Sequence, residues 1–309
     1  MNARRCLTLL LGAALAITAC VSPARKPPAT EPVIEISDVD LFYRIYDAAG
    51  GRPSEASLEA DYLQAGSDGL RTFARLRATT GKRIADAVAA SPEIYQSARG
   101  CAAALPKVKS RLQAALGALA AQVPEARFPP VTIAVGRGRP VGVGDPATGV
   151  QIGLEALCAA SFLNPDIEDR FVYVITHEYV HVQQHPALGN GEAPTVLEAS
   201  LMEGIAEFIT EQIAGSVSYG HLAEATKGRE LDIETAFAAE ANGTGLSAWL
   251  YNTGEASPAD LGYWTGYRIA KAYYRNSPDK SAAIREMLAV EDAESFLKSS
   301  GWHPGIVLD

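Results

Sequence analysis

Between Ile36 and about Gln122 the apolar positions recur at helical spacing. Leu41, Phe42, Ile45 and Tyr46 come first, then Leu70, Phe73 and Leu76, then Ile84 and Val88, then an Ala- and Leu-rich run from Leu105 to Leu119. Breaks at Gly50-Gly51, Gly66, Gly81, Ser91-Pro92 and Pro124 predict four or five helices here. Beyond Pro129-Pro130 the period changes. Val131 to Val135 has the β-branched enrichment of a strand, and Gly149 to Leu154 alternates as a second. The glycine-rich stretch 136–149 between them lacks a Gly-Lys-Ser/Thr ending and no helix follows directly, so it reads as a hairpin connection and not as a phosphate loop. After Asp169 helical patterning with short loops resumes. The fold class predicted is α+β and mostly helical: a small β-hairpin or sheet between helical N- and C-terminal parts, with no internal repeat.

The N-terminus is patterned differently. Arg4 and Arg5 precede an apolar run from Leu7 to Ala19, shorter than the roughly 20 residues that span a bilayer, and then Cys20. This is the layout of a secretory signal. Ile17-Thr18-Ala19-Cys20 resembles the lipobox of bacterial lipoproteins, which implies removal of 1–19 as a signal peptide and attachment of lipid to Cys20. With no aspartate at Val21 or Ser22, the resemblance points to lipid anchoring on the periplasmic side of the outer membrane. Pro23, Pro27, Pro28 and Pro32 make 20–34 an extended tether. The expected organisation continues with a helical part at 35–125 and the core at 126–309.

Composition changes this picture little. The 309 residues are 48% hydrophobic and 20% charged, which excludes a disordered or collagenous chain. A domain of this size buries about 75% of the surface its unfolded chain exposes, so it needs no disulfide staples. The net charge of −9 would become −11 on loss of a segment holding Arg4, Arg5 and no acid. That balance, with only 7% aromatics, argues against nucleic acid as a partner. Of the four cysteines, Cys6 would leave with the signal and Cys20 would carry lipid. Cys101 and Cys158 remain, and spacing alone leaves open whether they pair or stay as buried thiols.

The chemistry is concentrated in Phe171 to Gln184, where His177-Glu178-x-x-His181 lies on a continuous helical pattern. Residues four apart on a helix share a face, so both imidazoles can reach one ion, while Glu178 points about 100° away and can meet a bound water without being a ligand. A catalytic zinc needs a third protein ligand and an open position. The helix from Leu201 to Phe208 offers Glu203 and Glu207, one turn apart, after 21 intervening residues from His181 to Glu203. Glu198 and His185 are further acids or bases in range. His185 stands about 12 Å along the axis from His177, too far to close easily on the same ion. A metzincin pattern would need a histidine where this chain has Ala187.

HExxH followed by Glu203-Gly204-x-Ala206 resembles the gluzincin metallopeptidases. With the helical N-terminal block and the hairpin, it looks closest to a bacterial family known as predicted zinc-dependent proteases. The resemblance covers about 36–300 and is sharpest at 177–208 and 262–267. It implies one Zn2+ held by His177, His181 and Glu203, with Glu207 orienting a ligand histidine. It also implies Glu178 as general base and Tyr263, in Tyr263-x-x-Gly266, as donor to the oxyanion, with Tyr267 and His221 as alternatives. The strand Gly149 to Leu154 would be the edge on which an extended peptide pairs. The expected function is metallopeptidase hydrolysis of a peptide or protein substrate. The alternative is a non-catalytic binding or assembly lipoprotein on a peptidase-like scaffold. A serine nucleophile has no GxSxG to support it, and neither Cys101 nor Cys158 has a histidine nearby in sequence.

Overall fold

The computed structural model describes residues 33–139, 141–189, 191–252 and 258–308; the predicted signal peptide and Cys20 lie outside them. The N-terminal block holds α1 (Ser37–Ala48), α2 (Glu55–Ser57, continued by a π-helical turn, Leu58–Gln64), α3 (Asp68–Leu76), α4 (Gly81–Ala90), α5 (Pro92–Cys101) and α6 (Leu105–Gln122). These are six helices where four or five were expected. The break between α5 and α6 falls in Ala102–Ala104, among strong helix formers, so only Pro106 just beyond it announces it. Pro106 sits in the first turn of α6, where its missing N–H costs nothing.

The sheet departs from expectation in its pairing. Its strands are β1 (Ile34–Glu35), β2 (Val131–Ala134), β3 (Gly142–Asp145) and β4 (Gly149–Gly153), in the order β1-β2-β4-β3. The two predicted strands, β2 and β4, pair in parallel, Val131 opposite Val150, and so cannot form a hairpin with each other. The hairpin joins β3 to β4, Asp145 opposite Gly149. The stretch read as a connection therefore contains a strand, β3, disguised because glycine is depleted in ordinary strands. A second correction follows. Strand β4 is interior, and among the described residues the edges are β1 and, on the side of β4, β3.

The remaining helices are α7 (Leu154–Ala159), α8 (Ile167–Gln183), α9 (Val196–Ala214), α10 (His221–Ala225), α11 (Glu230–Glu240), α12 (Leu261–Asn276), α13 (Lys280–Leu288) and α14 (Ala293–Ser300). Two apolar clusters fill the molecule. The first packs Phe42, Tyr62 and Phe73 of the N-terminal block against Val131, Ile152 and the α8 residues Phe171, Ile175 and Tyr179. The second joins α9 to α12, α13 and α14 through residues such as Ile205, Phe208, Ile269 and Ile284. Helix α8 lies between them and contributes Val180 to the second. That position explains its all-round apolar sequence. The β-branched run Val172, Val174, Ile175 and Thr176 would suit a strand, yet Asp166 caps the helix by accepting the Asp169 N–H at 2.9 Å, and burial on every side does the rest. Among the described residues no helix is long and apolar enough to cross a membrane.

Cys101 and Cys158 form a disulfide, with Cα atoms 6.2 Å apart, joining the end of α5 to α7. It closes a loop of 57 residues; the chain-entropy model assigns such a closure on the order of 4 kcal/mol at most. Cys158→Ser is expected to lower unfolding free energy by about 2–4 kcal/mol in a denaturant titration. An unchanged midpoint, or modification of Cys101 and Cys158 as free thiols in the unreduced unfolded protein, would show that the bond does not form.

Candidate metal centre

Helices α8 and α9 bring three electron-pair donors to one point. His177 Nε2 lies 3.0 Å from His181 Nε2 and 3.1 Å from Glu203 Oε2, and His181 Nε2 lies 3.2 Å from that same oxygen. Ligands of a tetrahedral zinc with bonds of about 2.0–2.1 Å stand about 3.3 Å apart, so the triangle has the size of a zinc site. The protons are arranged to match. Gln184 donates from Nε2 to the Met202 carbonyl at 2.7 Å, which leaves its Oε1 as acceptor, 2.7 Å from His181 Nδ1. Glu207 Oε1 stands 2.7 Å from His177 Nδ1, though off the line along which that nitrogen would donate. With each Nδ1 beside an acceptor, each Nε2 turns its lone pair toward the shared point. Three lone pairs at this spacing repel unless a cation sits between them.

The electrostatics agree. Burial alone would raise the Glu203 carboxyl, but the imidazoles of His181 and His177 outweigh it and hold the group well below the usual carboxylate range. Burial would likewise lower both histidines, and Glu203, joined at His177 by Glu207, raises them instead. Glu178 is 8% exposed, and burial pushes its carboxyl up against the opposing pull of the two imidazoles.

Each further candidate has a definite place. Glu198 is committed to a capping box at the start of α9, where its Oε2 accepts from the Thr195 N–H at 2.7 Å and hydroxyl at 2.9 Å. His185 lies past the end of α8, 3.5 Å from Glu291 and outside the triangle. Tyr263 stacks on Tyr219 with ring centroids 4.3 Å apart and lies 6.2 Å from the His177 ring. Tyr267 turns away and donates to Glu211 at 2.8 Å. The His221 ring lies 6.1 Å from that of Tyr219, tilted against it, and does not line the cavity described below.

Three neighbours of the centre carry no motif. Gln184 follows His181 by three residues, so the shared helix face was a usable signal. Tyr219 donates its backbone N–H to Glu207 at 3.1 Å. Tyr251, 58% exposed and at φ 59°, donates its hydroxyl to Glu203 Oε1 at 2.8 Å, fixing the oxygen that faces away from the triangle. A reciprocal pair, Asn252 N–H to Asp260 Oδ1 and Asp260 N–H to Asn252 Oδ1, holds this segment at the start of α12. Nothing local in the sequence marks Tyr251 for this role.

The centre opens into a cavity of about 580 Å³ between β3 and the helices, lined by His177, Glu178, His181, Glu203, Tyr251 and Tyr263 among others. A Cβ on Gly142 would meet Glu178 Oε1 at 2.3 Å, and one on Gly144 would meet the Glu178 carbonyl oxygen at 2.0 Å. The alternate glycines of β3 are thus the face that lies flat on α8.

Residues 157–298 match the family model described as Predicted Zn-dependent protease (DUF2268). The motifs resemble this same family. The matched stretch contains both ligand helices, Tyr251 and Tyr263, and begins after β4. No curated protein and no solved structure matches the chain.

The family-like glycines also acquire a reason. A Cβ at Gly266 would stand 1.8 Å from the Ser200 carbonyl oxygen, and one at Gly204 would stand 2.1 Å from the Gly266 carbonyl carbon. Helices α9 and α12 therefore touch backbone to backbone, one residue from Glu203 and one turn from Tyr263. Gly266→Ala should lower stability by about 1–3 kcal/mol despite alanine's better helix propensity, and should weaken zinc binding. A stabilised variant with full zinc affinity in a chelator competition would show that this crossing does not set the centre.

Proposed function

We propose that the protein is a zinc-dependent peptidase. The observation that carries this reading is the convergence of two Nε2 atoms and one carboxylate oxygen, 3.0–3.2 Å apart, with the buried Glu178 beside them in an open cavity. His177, His181 and Glu203 would hold one zinc ion, which supplies Lewis acidity and a water nucleophile at neutral pH. Glu178 takes the proton of the attacking water on its carboxylate and returns it to the leaving amine. The raised carboxyl suits that exchange, because burial makes the Glu178 carboxylate a stronger base toward the water's proton. Gln184 and Glu207 keep the histidine Nε2 lone pairs directed inward. The Tyr263 hydroxyl donates to the oxygen that gains charge during attack. The unpaired edge of β3 offers main-chain N–H and carbonyl groups to an extended peptide lying along the cavity.

We further propose that Cys20 carries lipid that anchors the domain at the outer membrane, and that the domain faces an oxidising compartment outside the cytoplasm. The lipobox-like residues Ile17 to Cys20 and the Cys101–Cys158 disulfide support this. Val33 follows Cys20 by 13 residues, so an extended tether would keep the domain within about 45 Å of the lipid.

Peptide-library cleavage and zinc analysis of purified protein test the catalytic reading. Glu178→Gln is expected to keep fold and zinc while losing about 10²-fold or more in turnover. Glu203→Gln should lose zinc, and Tyr263→Phe should keep it while kcat falls about a hundredfold. A fully active Glu178→Gln protein overturns the mechanism; absence of cleavage by the zinc-loaded parent favours a binding or assembly role. Cys20→Ala should abolish incorporation of labelled fatty acid and release the protein from membranes. Label retained in that variant would place the lipid elsewhere.

A further inference from the structure

Arg77 lines the cavity that contains Glu178, at the end of α3, and does not stand alone. Arg137 donates from Nη2 to the Arg77 carbonyl at 3.2 Å. The backbone around Arg137 is fixed because Gly136 and Gly138 donate their N–H groups to the buried Glu155 carboxylate at 2.9 and 2.8 Å. Arg83 and Arg139 complete the group. Burial, then repulsion from Arg139, Arg83 and Arg77, pushes the Arg137 guanidinium below the usual arginine range.

In a chain with 36 acidic and 27 basic side chains, four arginines from three segments gather without an ion pair to any of them among the described residues. The Nε atoms of Arg77 and Arg137 are buried and have no hydrogen-bond partner. The acids nearby do not neutralise the group. Glu155 is spent on two backbone N–H groups, and Glu178 acts on Arg77 only through space. One arginine at a helix C-terminus is ordinary. A group of arginines in which Arg77 and Arg137 keep unmet Nε donors, with Arg77 lining a cavity, has the chemistry to hold an oxyanion.

We propose that Arg77, backed by Arg137, recognises a carboxylate of the bound peptide, so that the substrates of this cavity are anionic peptides. This rests on the peptidase reading for the nature of the ligand. The carboxylate is either the peptide's C-terminus or an Asp or Glu side chain, and the structure gives both the same chemistry.

The test measures binding of labelled peptides to the zinc-loaded full chain carrying Glu178→Gln, by fluorescence anisotropy. One core sequence is made as C-terminal acid and as amide, and with Glu or Gln scanned along it. One anionic form should bind about tenfold or more tightly than its neutral isostere, and the form that does so identifies the source of the carboxylate. Adding Arg77→Gln should reduce that ratio to about twofold or less, Arg77→Lys should leave an intermediate ratio, and rising salt should shrink the parent's ratio. Zinc content and the denaturation midpoint serve as controls on folding; should Arg77→Gln fail them, Arg139→Gln at the exposed edge of the cluster should still lower the ratio. A parent ratio near one, or a ratio unmoved by these substitutions, overturns the proposal. So does arginine-dependent binding to anionic phospholipid vesicles without charge preference among peptides. If the protein with Glu178 intact cleaves none of the peptides while the anionic preference stands, the peptidase reading fails and the anion site survives.

Discussion

Two imidazole nitrogens and a carboxylate oxygen face one another across 3.0–3.2 Å in the interior, and much of the architecture serves to hold that unfavourable arrangement. Lone pairs at that distance repel, and burial raises the energy of every charge involved. The surrounding structure answers with acceptors behind each histidine, a tyrosine hydroxyl on the outer oxygen of Glu203, and two helices buried along most of their length. A divalent cation would turn the same repulsion into attraction, which makes the site's folding and its metal affinity a single balance.

Closeness of backbones is the means by which this balance is kept. Gly204 and Gly266 let α9 and α12 touch, and Gly142 and Gly144 let β3 lie on α8 at Glu178. Four elements thereby come within reach of one cavity without side chains filling the space where a substrate would lie. The same contacts make the centre stiff: Glu203, Tyr263 and the edge of β3 each stand next to a main-chain contact that a single methyl would disrupt.

Charge is distributed with comparable economy of position. The chain is acidic overall, yet Arg77, Arg83, Arg137 and Arg139 lie near one another without an ion pair among the described residues, and Arg77 lines the cavity that also holds the metal centre.

The sequence alone determined the three side chains that α8 brings to the candidate centre, because HExxH places His177, Glu178 and His181 through the fixed geometry of one helix. It also determined the helical character of the two blocks, since apolar periodicity reports which face is buried, and the helix that offers Glu203. Only the tertiary structure decided what depends on distant segments meeting. Strand β3 was illegible because its glycines answer to α8 and not to strand propensity, and the parallel pairing of β2 with β4 depends on a crossover that local pattern does not encode. Tyr251, Arg77 and whether Cys101 and Cys158 pair were likewise beyond reach: the tyrosine's hydrogen bond and the disulfide join positions 48 and 57 apart, Arg77 meets Glu178 only by lining the same cavity, and no period or spacing within a segment carries that information.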